Sequence, residues 1–158
     1  MNKCEVCEKG FLKEKKVRNC EYNTPMGIVT IEGESKLEQC DNCGEVFVPG
    51  VLIDYWNRLI LQRLLEKKGF IEATELQFIF SVLPFSQAEI AAAAGKERST
   101  LTKYKNGENP IDPLFDDTLR NIAHDYLEGK DDTIVRLKIR HKFLFQKEKI
   151  KKVSGSGH

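Results

Sequence analysis

Two Cys-x-x-Cys pairs, Cys4/Cys7 and Cys40/Cys43, are separated by 32 residues. A tight turn carrying two thiols three positions apart aims both sulfurs at one point. Two such turns together supply the four soft donors that tetrahedral zinc takes at about 2.3 Å. In a chain without secretory features this pattern points to a metal before it points to disulfides. The expectation is one structural Zn2+ per chain on Cys4, Cys7, Cys40 and Cys43, since four thiolates close the coordination sphere and leave no open catalytic position. A redox Cys-x-x-Cys, or four unrelated cysteines, are the competing readings of the same residues. Cys20 stands outside the spacing and reads as a small strand residue rather than a fifth ligand.

The second stretch able to do chemistry is 86–107, from Ser86 through Gln87, Glu89, Ala91, Gly95, Arg98, Ser99, Leu101, Thr102, Lys103, Tyr104, Lys105 and Asn106 to Gly107. Ser86 is a helix N-cap with Glu89 three residues on, and strong helix formers follow to Ala94. Gly95 supplies the positive φ that a tight stop needs. A second short helix, 98–105, places Leu101 and Tyr104 on one face and Arg98, Ser99, Thr102 and Lys103 on others. Glu97 is a poor cap, so Ser99 is expected to start that helix instead. Arg and Lys donate to guanine O6 and N7 in the major groove, while Ser and Thr reach base edges or phosphates. Arg98, Ser99, Thr102 and Lys103 are therefore the expected base-reading residues.

Catalysis is not expected. No Ser/His/Asp set or carboxylate pair has workable spacing, and three scattered histidines offer no general base. His124 has no ligating neighbour in the sequence and reads as a surface or core residue.

The elements that must position these residues follow from the rest of the pattern. Between the cysteine pairs, 17–22 and 27–37 alternate like strands around a turn at Asn23-Thr24-Pro25-Met26-Gly27, and Phe47-Val48-Pro49 closes a small β unit. Leu52, Tyr55, Trp56, Leu59, Ile60, Arg63 and Leu64 keep helical spacing over 52–68, with Gly69 as the stop and Tyr55 and Trp56 as core aromatics. A further helix from Thr74 or Glu75 to Leu83 turns Leu76, Ile79, Phe80 and Leu83 inward and ends at Pro84. Beyond a proline-containing loop, Asp116 or Asp117 caps a helix to Leu127 with Leu119, Ile122, Ala123 and Tyr126 inward.

The 158 residues are 41% hydrophobic and 31% charged, ordinary globular composition with room for two small domains. No apolar run reaches the length of a membrane span and the N-terminus has no signal pattern, so a cytoplasmic protein with no membrane partner is expected. Net charge is only +1 and hides an uneven distribution. Segment 72–128 holds 5 Lys+Arg against 10 Asp+Glu, whereas 129–158 holds 9 against 3. Weak non-specific attraction to phosphate follows for the first segment, and a solvated or phosphate-contacting tail for the second.

The 86–107 pattern resembles the phage-repressor helix-turn-helix family of Cro or Xre type, carried by Ser86, Gln87, Ala91, Gly95, Leu101, Tyr104, Gly107 and Pro110. That family commonly has a buried Arg–Glu ion pair where this chain has Phe80 and Lys105, an apolar replacement that strands neither charge. The whole order of cysteine unit, helix and helix-turn-helix resembles the MqsA-type (YgiT-type zinc finger) antitoxins. Cys4, Cys7, Cys40, Cys43, the run Cys-Asp-Asn-Cys-Gly-Glu, the 65–69 approach and 86–107 carry that resemblance. It implies an α+β protein: a small N-terminal zinc ribbon over 1–50, a linker helix over 51–71, and a helix-turn-helix domain over 72–128, the helical part being a five-helix repressor-like bundle. A basic extension at 129–153 and a linker-like tail at 154–158 complete the chain. It further implies a homodimer on a palindromic double-stranded DNA operator with Gln87, Lys105 and Asn106 at the phosphates, repression of its own operon, and a cognate toxin protein as partner. A stand-alone phage or mobile-element regulator, or a protein- or RNA-binding module using ribbon and tail, are the alternatives.

Overall fold

The computed structural model describes residues 2–141. Expectations for Lys142 onward, the tail at 154–158 among them, lie outside the described residues. The protein is α+β, with a three-stranded antiparallel sheet in the order β1-β2-β3 followed by helices. It divides into two units, Met1–Ile60 and Leu61–His158, and the division falls inside helix α1.

In the first unit β1 (Leu12–Thr24) and β2 (Gly27–Cys40) form a long hairpin, and β3 (Val46–Phe47) adds a short third strand to β2. The strands extend well beyond the alternating runs because Leu12 pairs with Cys40, tying the hairpin to both cysteine turns. At the other end Thr24 pairs with Gly27 across Pro25-Met26, and the Thr24 hydroxyl accepts from the Met26 amide at 3.1 Å. The sequence alternation cannot run through β1 unbroken. The register shifts between Arg18 and Cys20, Asn19 takes φ +55°, and the sheltered positions pass from Lys15 and Val17 to Cys20, Tyr22 and Thr24. Asn19 accepts the Gly33 amide at 3.1 Å, which satisfies backbone freed by the irregularity.

Helix α1 spans Gly50–Leu65, two residues earlier and three shorter at its end than its spacing predicts. Trp56 is buried against Tyr22, ring centroids 5.4 Å apart, and the Tyr22 hydroxyl donates to Asn57 at 2.8 Å. Tyr55 is exposed, so only one of the two aromatics belongs to the core.

The second unit contains α2 (Ala73–Val82), α3 (Gln87–Ala94), α4 (Arg98–Lys105) and α5 (Pro113–Leu127), and residues 132–141 are also helical. The chain bends by 110° between α2 and α3, and no single helix among the described residues is long and apolar enough to cross a membrane. Leu61, Leu65, Leu76, Ile79, Ile90, Leu101, Phe115, Leu119, Ile122 and Ile134 make the core. Phe78 takes the buried place on α2 that the spacing assigns to Phe80, which is half-buried, as is Tyr126 on α5.

Helix starts differ most from expectation. Glu72 caps α2 in a reciprocal box with Glu75. Helix α4 starts at Arg98 with Glu97 as an N-cap whose side chain makes no capping bond, so Ser99 lies inside the helix. Helix α5 starts at Pro113, a favoured first-turn residue, rather than after Asp116 or Asp117. Asp116 is instead buried. It accepts from the Ile71 amide at 2.7 Å and pairs with Arg120, whose guanidinium also donates to the carbonyls of Leu65, Lys67 and Gly69. One residue thus holds the chain between α1 and α2 in place.

Candidate functional site

The first site is built by two similar turns. The Glu8 amide donates to the Cys4 carbonyl at 3.0 Å and the Gly44 amide to the Cys40 carbonyl at 3.1 Å, closing each Cys-x-x-Cys segment in the same way. The following residue in each turn takes the left-handed region, Glu8 at φ +56° and Gly44 at φ +77°. Glycine suits the second position, whereas Glu8 is a non-glycine residue in a region that side chains disfavour.

The hairpin register brings the two turns together. The Sγ atoms of Cys4, Cys7, Cys40 and Cys43 all lie within 4.8 Å of one another. Cys4–Cys43 and Cys7–Cys40 are 3.8 and 3.6 Å apart, well beyond a disulfide bond of about 2.05 Å. A regular tetrahedron of metal–sulfur bonds about 2.3 Å long has sulfurs about 3.8 Å apart, so the donors fit a single metal ion. Cys20 lies buried in β1, outside this cluster.

Backbone amides prepare the sulfurs for negative charge. Gly10 N–H points to Cys7 Sγ at 3.4 Å, and those of Asn42 and Cys43 to Cys40 Sγ at 3.3 and 3.4 Å. The Lys9 and Gly10 backbone, with Asn42, draws the Cys7 thiol down to about 6. At Cys43 the Glu45 backbone pulls the same way, but desolvation and the neighbouring Cys40, Cys4 and Cys7 outweigh it and push the thiol up to about 12. Sulfurs this close ionise together only with a cation between them, and a divalent ion supplies that charge.

Two residues of this site have no signature in the cysteine spacing. Gly10 has an ordinary φ, but a Cβ there would meet the Cys40 sulfur, with Asn42 Cβ at 2.7 Å and Asp41 Oδ1 at 2.9 Å. Asp41 accepts the Phe11 amide at 2.9 Å, and this bond, with Lys13 alongside, holds its carboxyl below the usual range. Such close approach is a property of the paired turns, invisible until the register is known.

The second site is the surface of α4. Helix α3 begins at Ser86, whose hydroxyl accepts the Glu89 amide at 3.1 Å, and ends at Gly95 with φ +65°. Leu101 and Tyr104 are buried, Tyr104 against Phe115 with ring centroids 5.3 Å apart. Arg98, Ser99, Thr102 and Lys103 are all exposed, while Lys105 is half-buried and Asn106 is the exposed C-cap. The Gln87 amide donates to Thr102 Oγ1 at 2.9 Å and to the Arg98 carbonyl at 3.4 Å. Gln87 therefore braces α3 against α4, a role its position in the pattern does not disclose. Lys96, in the turn, is tied to Asp112 at 3.0 Å, which raises the lysine and lowers the aspartate.

The side of this surface that sequence spacing left undefined is the segment 132–141. Its Thr133 amide donates to Asp125 at 2.8 Å, Ile134 is buried, and Lys138 lies 3.6 Å from Glu89 on α3. The His141 ring rests on Gly95, where a Cβ would come within 2.7 Å of its Cε1 atom. The basic extension thus begins as a helix docked on α3. Compared with known proteins, the chain matches no family model, no curated protein and no solved structure.

Proposed function

We propose that the protein is a sequence-specific DNA-binding repressor with a structural zinc ribbon, and that it serves as the antitoxin of a toxin–antitoxin module that represses its own operon. The observation that carries the DNA reading is the surface of α4. Four exposed donor side chains, Arg98, Ser99, Thr102 and Lys103, stand on a short helix whose opposite face, Leu101 and Tyr104, is buried. The Ser86 cap and the left-handed Gly95 that bound helix α3 support reading α3 and α4 as the helix-turn-helix of the phage-repressor resemblance. In the groove, Arg98 and Lys103 would donate to base acceptors, and Ser99 and Thr102 to base edges or phosphates. A homodimer would present two such helices to a palindromic site, with the half-sites about one helical turn apart.

The zinc assignment rests on the sulfur geometry and on a donor set made wholly of thiolates. With four protein ligands the metal would hold the two turns together and take no part in a reaction. The antitoxin role, the toxin partner and the operator palindrome rest on the resemblance of the element order to the MqsA-type family.

One observation favours a second reading. The segment 72–128 carries twice as many acidic as basic residues, which suits a protein-interaction module better than a non-specific DNA binder. A gel shift on the DNA upstream of the gene separates the two. Tight binding that survives competitor DNA and falls by about 5- to 150-fold in Arg98→Ala or Lys103→Ala, the equivalent of about 1–3 kcal/mol per lost base contact, is the expected result. Weak, sequence-blind binding unaffected by either change would move the function to protein or RNA interaction.

A further inference from the structure

Helix α3 presents a problem to any anionic partner. Its N-terminal end, with free backbone N–H groups, attracts phosphate, yet Glu89 in its first turn places a carboxylate there. The Ser86 hydroxyl occupies the Glu89 amide, and the Glu89 side chain is turned to Lys138, 3.6 Å away. Lys138 belongs to helix 132–141, which is anchored at its start by the Thr133–Asp125 bond and by buried Ile134, and at its end by His141 on Gly95. Lys138 and His141 are three residues apart, one helical turn, and meet α3 at its first turn and at its C-cap. The helix therefore crosses α3 and ends beside the turn from which α4 departs, with Arg140 exposed at that end.

We propose that helix 132–141 is a second element of the DNA-facing surface, contacting the phosphodiester backbone of duplex DNA. Lys138 cancels the Glu89 carboxylate at the mouth of α3, and Arg140 adds an exposed cation one residue before His141, the residue that meets Gly95. This deepens the repressor reading and rests on it. The acidic balance of 72–128 then ceases to be an obstacle, because the positive charge for phosphate comes from outside that segment. Lys138 is a positioning residue by this account, acting through Glu89, while Arg140 touches the backbone itself.

The test uses the full metal-loaded chain and fluorescence anisotropy on specific and scrambled duplexes across a salt series. Arg140→Gln is expected to weaken both duplexes alike and to reduce the salt slope by about 0.9, the share of one phosphate contact. Lys138→Gln is expected to weaken binding about 3- to 10-fold at low salt, a screened charge effect, and Glu89→Gln in the same chain to restore it. A role confined to holding the helix in place gives the opposite pattern, since the double variant still lacks the ion pair and would not recover. Unchanged affinity and slope in Arg140→Gln and Lys138→Gln, with wild type binding specifically, overturns this inference and leaves the repressor reading standing. Wild type that binds neither duplex at any salt overturns both.

Discussion

The cysteine-bearing unit and the helical unit contain their cores in opposite proportion. In the first, buried apolar side chains are few, Ile31, Leu37, Trp56 and Ile60 with Cys20, and the hairpin is a long two-stranded ribbon with only a two-residue third strand. A ribbon of that kind is marginal in water, so its open end, where Leu12 meets Cys40, depends on the thiol cluster. In the second, the helices contribute apolar side chains to a larger core, and the pair of buried Asp116 with half-buried Arg120 fixes a connecting loop. Small β units need a cross-link where helical units of similar length can rely on burial.

On the zinc assignment proposed above, removing the metal is the largest test of that contrast. A strong chelator, or Cys40→Ser, is expected to unfold the hairpin while the helical unit keeps its signals, because structural zinc sites contribute on the order of 10–16 kcal/mol to such folds. Amide spectra of both units with zinc stoichiometry would read it. Simultaneous loss of the helical signals would show that the helical unit is not self-sufficient.

Gly10→Ala brings a methyl group against the Cys40 sulfur, the Asn42 Cβ and the Asp41 carboxylate, so that relief at the sulfur means moving a donor of the cluster. Metal affinity is expected to fall at least about 10-fold, as when the support around a ligand is removed, while the melting of the helical unit is untouched. Competition with a colorimetric chelator would measure it.

Arg120→Ala is the mirror experiment. It leaves the Asp116 carboxylate buried with only the Ile71 amide and strips three carbonyls of their donor. A loss of about 3–5 kcal/mol confined to the helical unit is expected, with zinc content unchanged in thermal melts. An equal loss of metal would mean the two units do not stand apart energetically.

Asp125 sharpens the picture at smaller scale. Its carboxyl is held low by bonds from Thr133, so its contribution is present above the ordinary unfolded value and is lost as pH falls through the lower folded one. Asp125→Asn is expected to cost about 1–2 kcal/mol at pH 7 and to make no difference near pH 2, measured by hydrogen exchange over 132–141. Smallest is Glu8→Gly, which relieves a left-handed side chain and is expected to add about 0.5–1 kcal/mol to the metal-bound first unit alone.

Set beside the repressors it resembles, the chain lacks their usual buried ion pair and has Phe80 and Lys105 in its place. Lys105 is half-buried with its carbonyl accepting from Gln77 at 2.8 Å. An ion pair with one buried partner exists nonetheless, Asp116 with half-buried Arg120, four residues apart on α5. From the sequence Asp116 is indistinguishable from a helix cap, because aspartate suits both places and only the loop packed above it decides which bond it makes.

What the sequence determined by itself is chemistry that depends on local spacing. Three-residue cysteine intervals bring paired sulfurs to one turn, Ser86 and Gly95 begin and end α3, and the 98–105 periodicity separates buried Leu101 and Tyr104 from exposed Arg98, Ser99, Thr102 and Lys103. Each is settled within a turn or two of backbone, where residue type fixes the conformation. What only the tertiary structure decided involves residues far apart in the chain: the close approach at Gly10, the change of sheltered side at Asn19, the Arg120 clamp, the Gln87 brace, and the docking of 132–141 on α3. Those depend on which surfaces meet, and pairwise contact across tens of residues leaves no period or motif along the chain to be read.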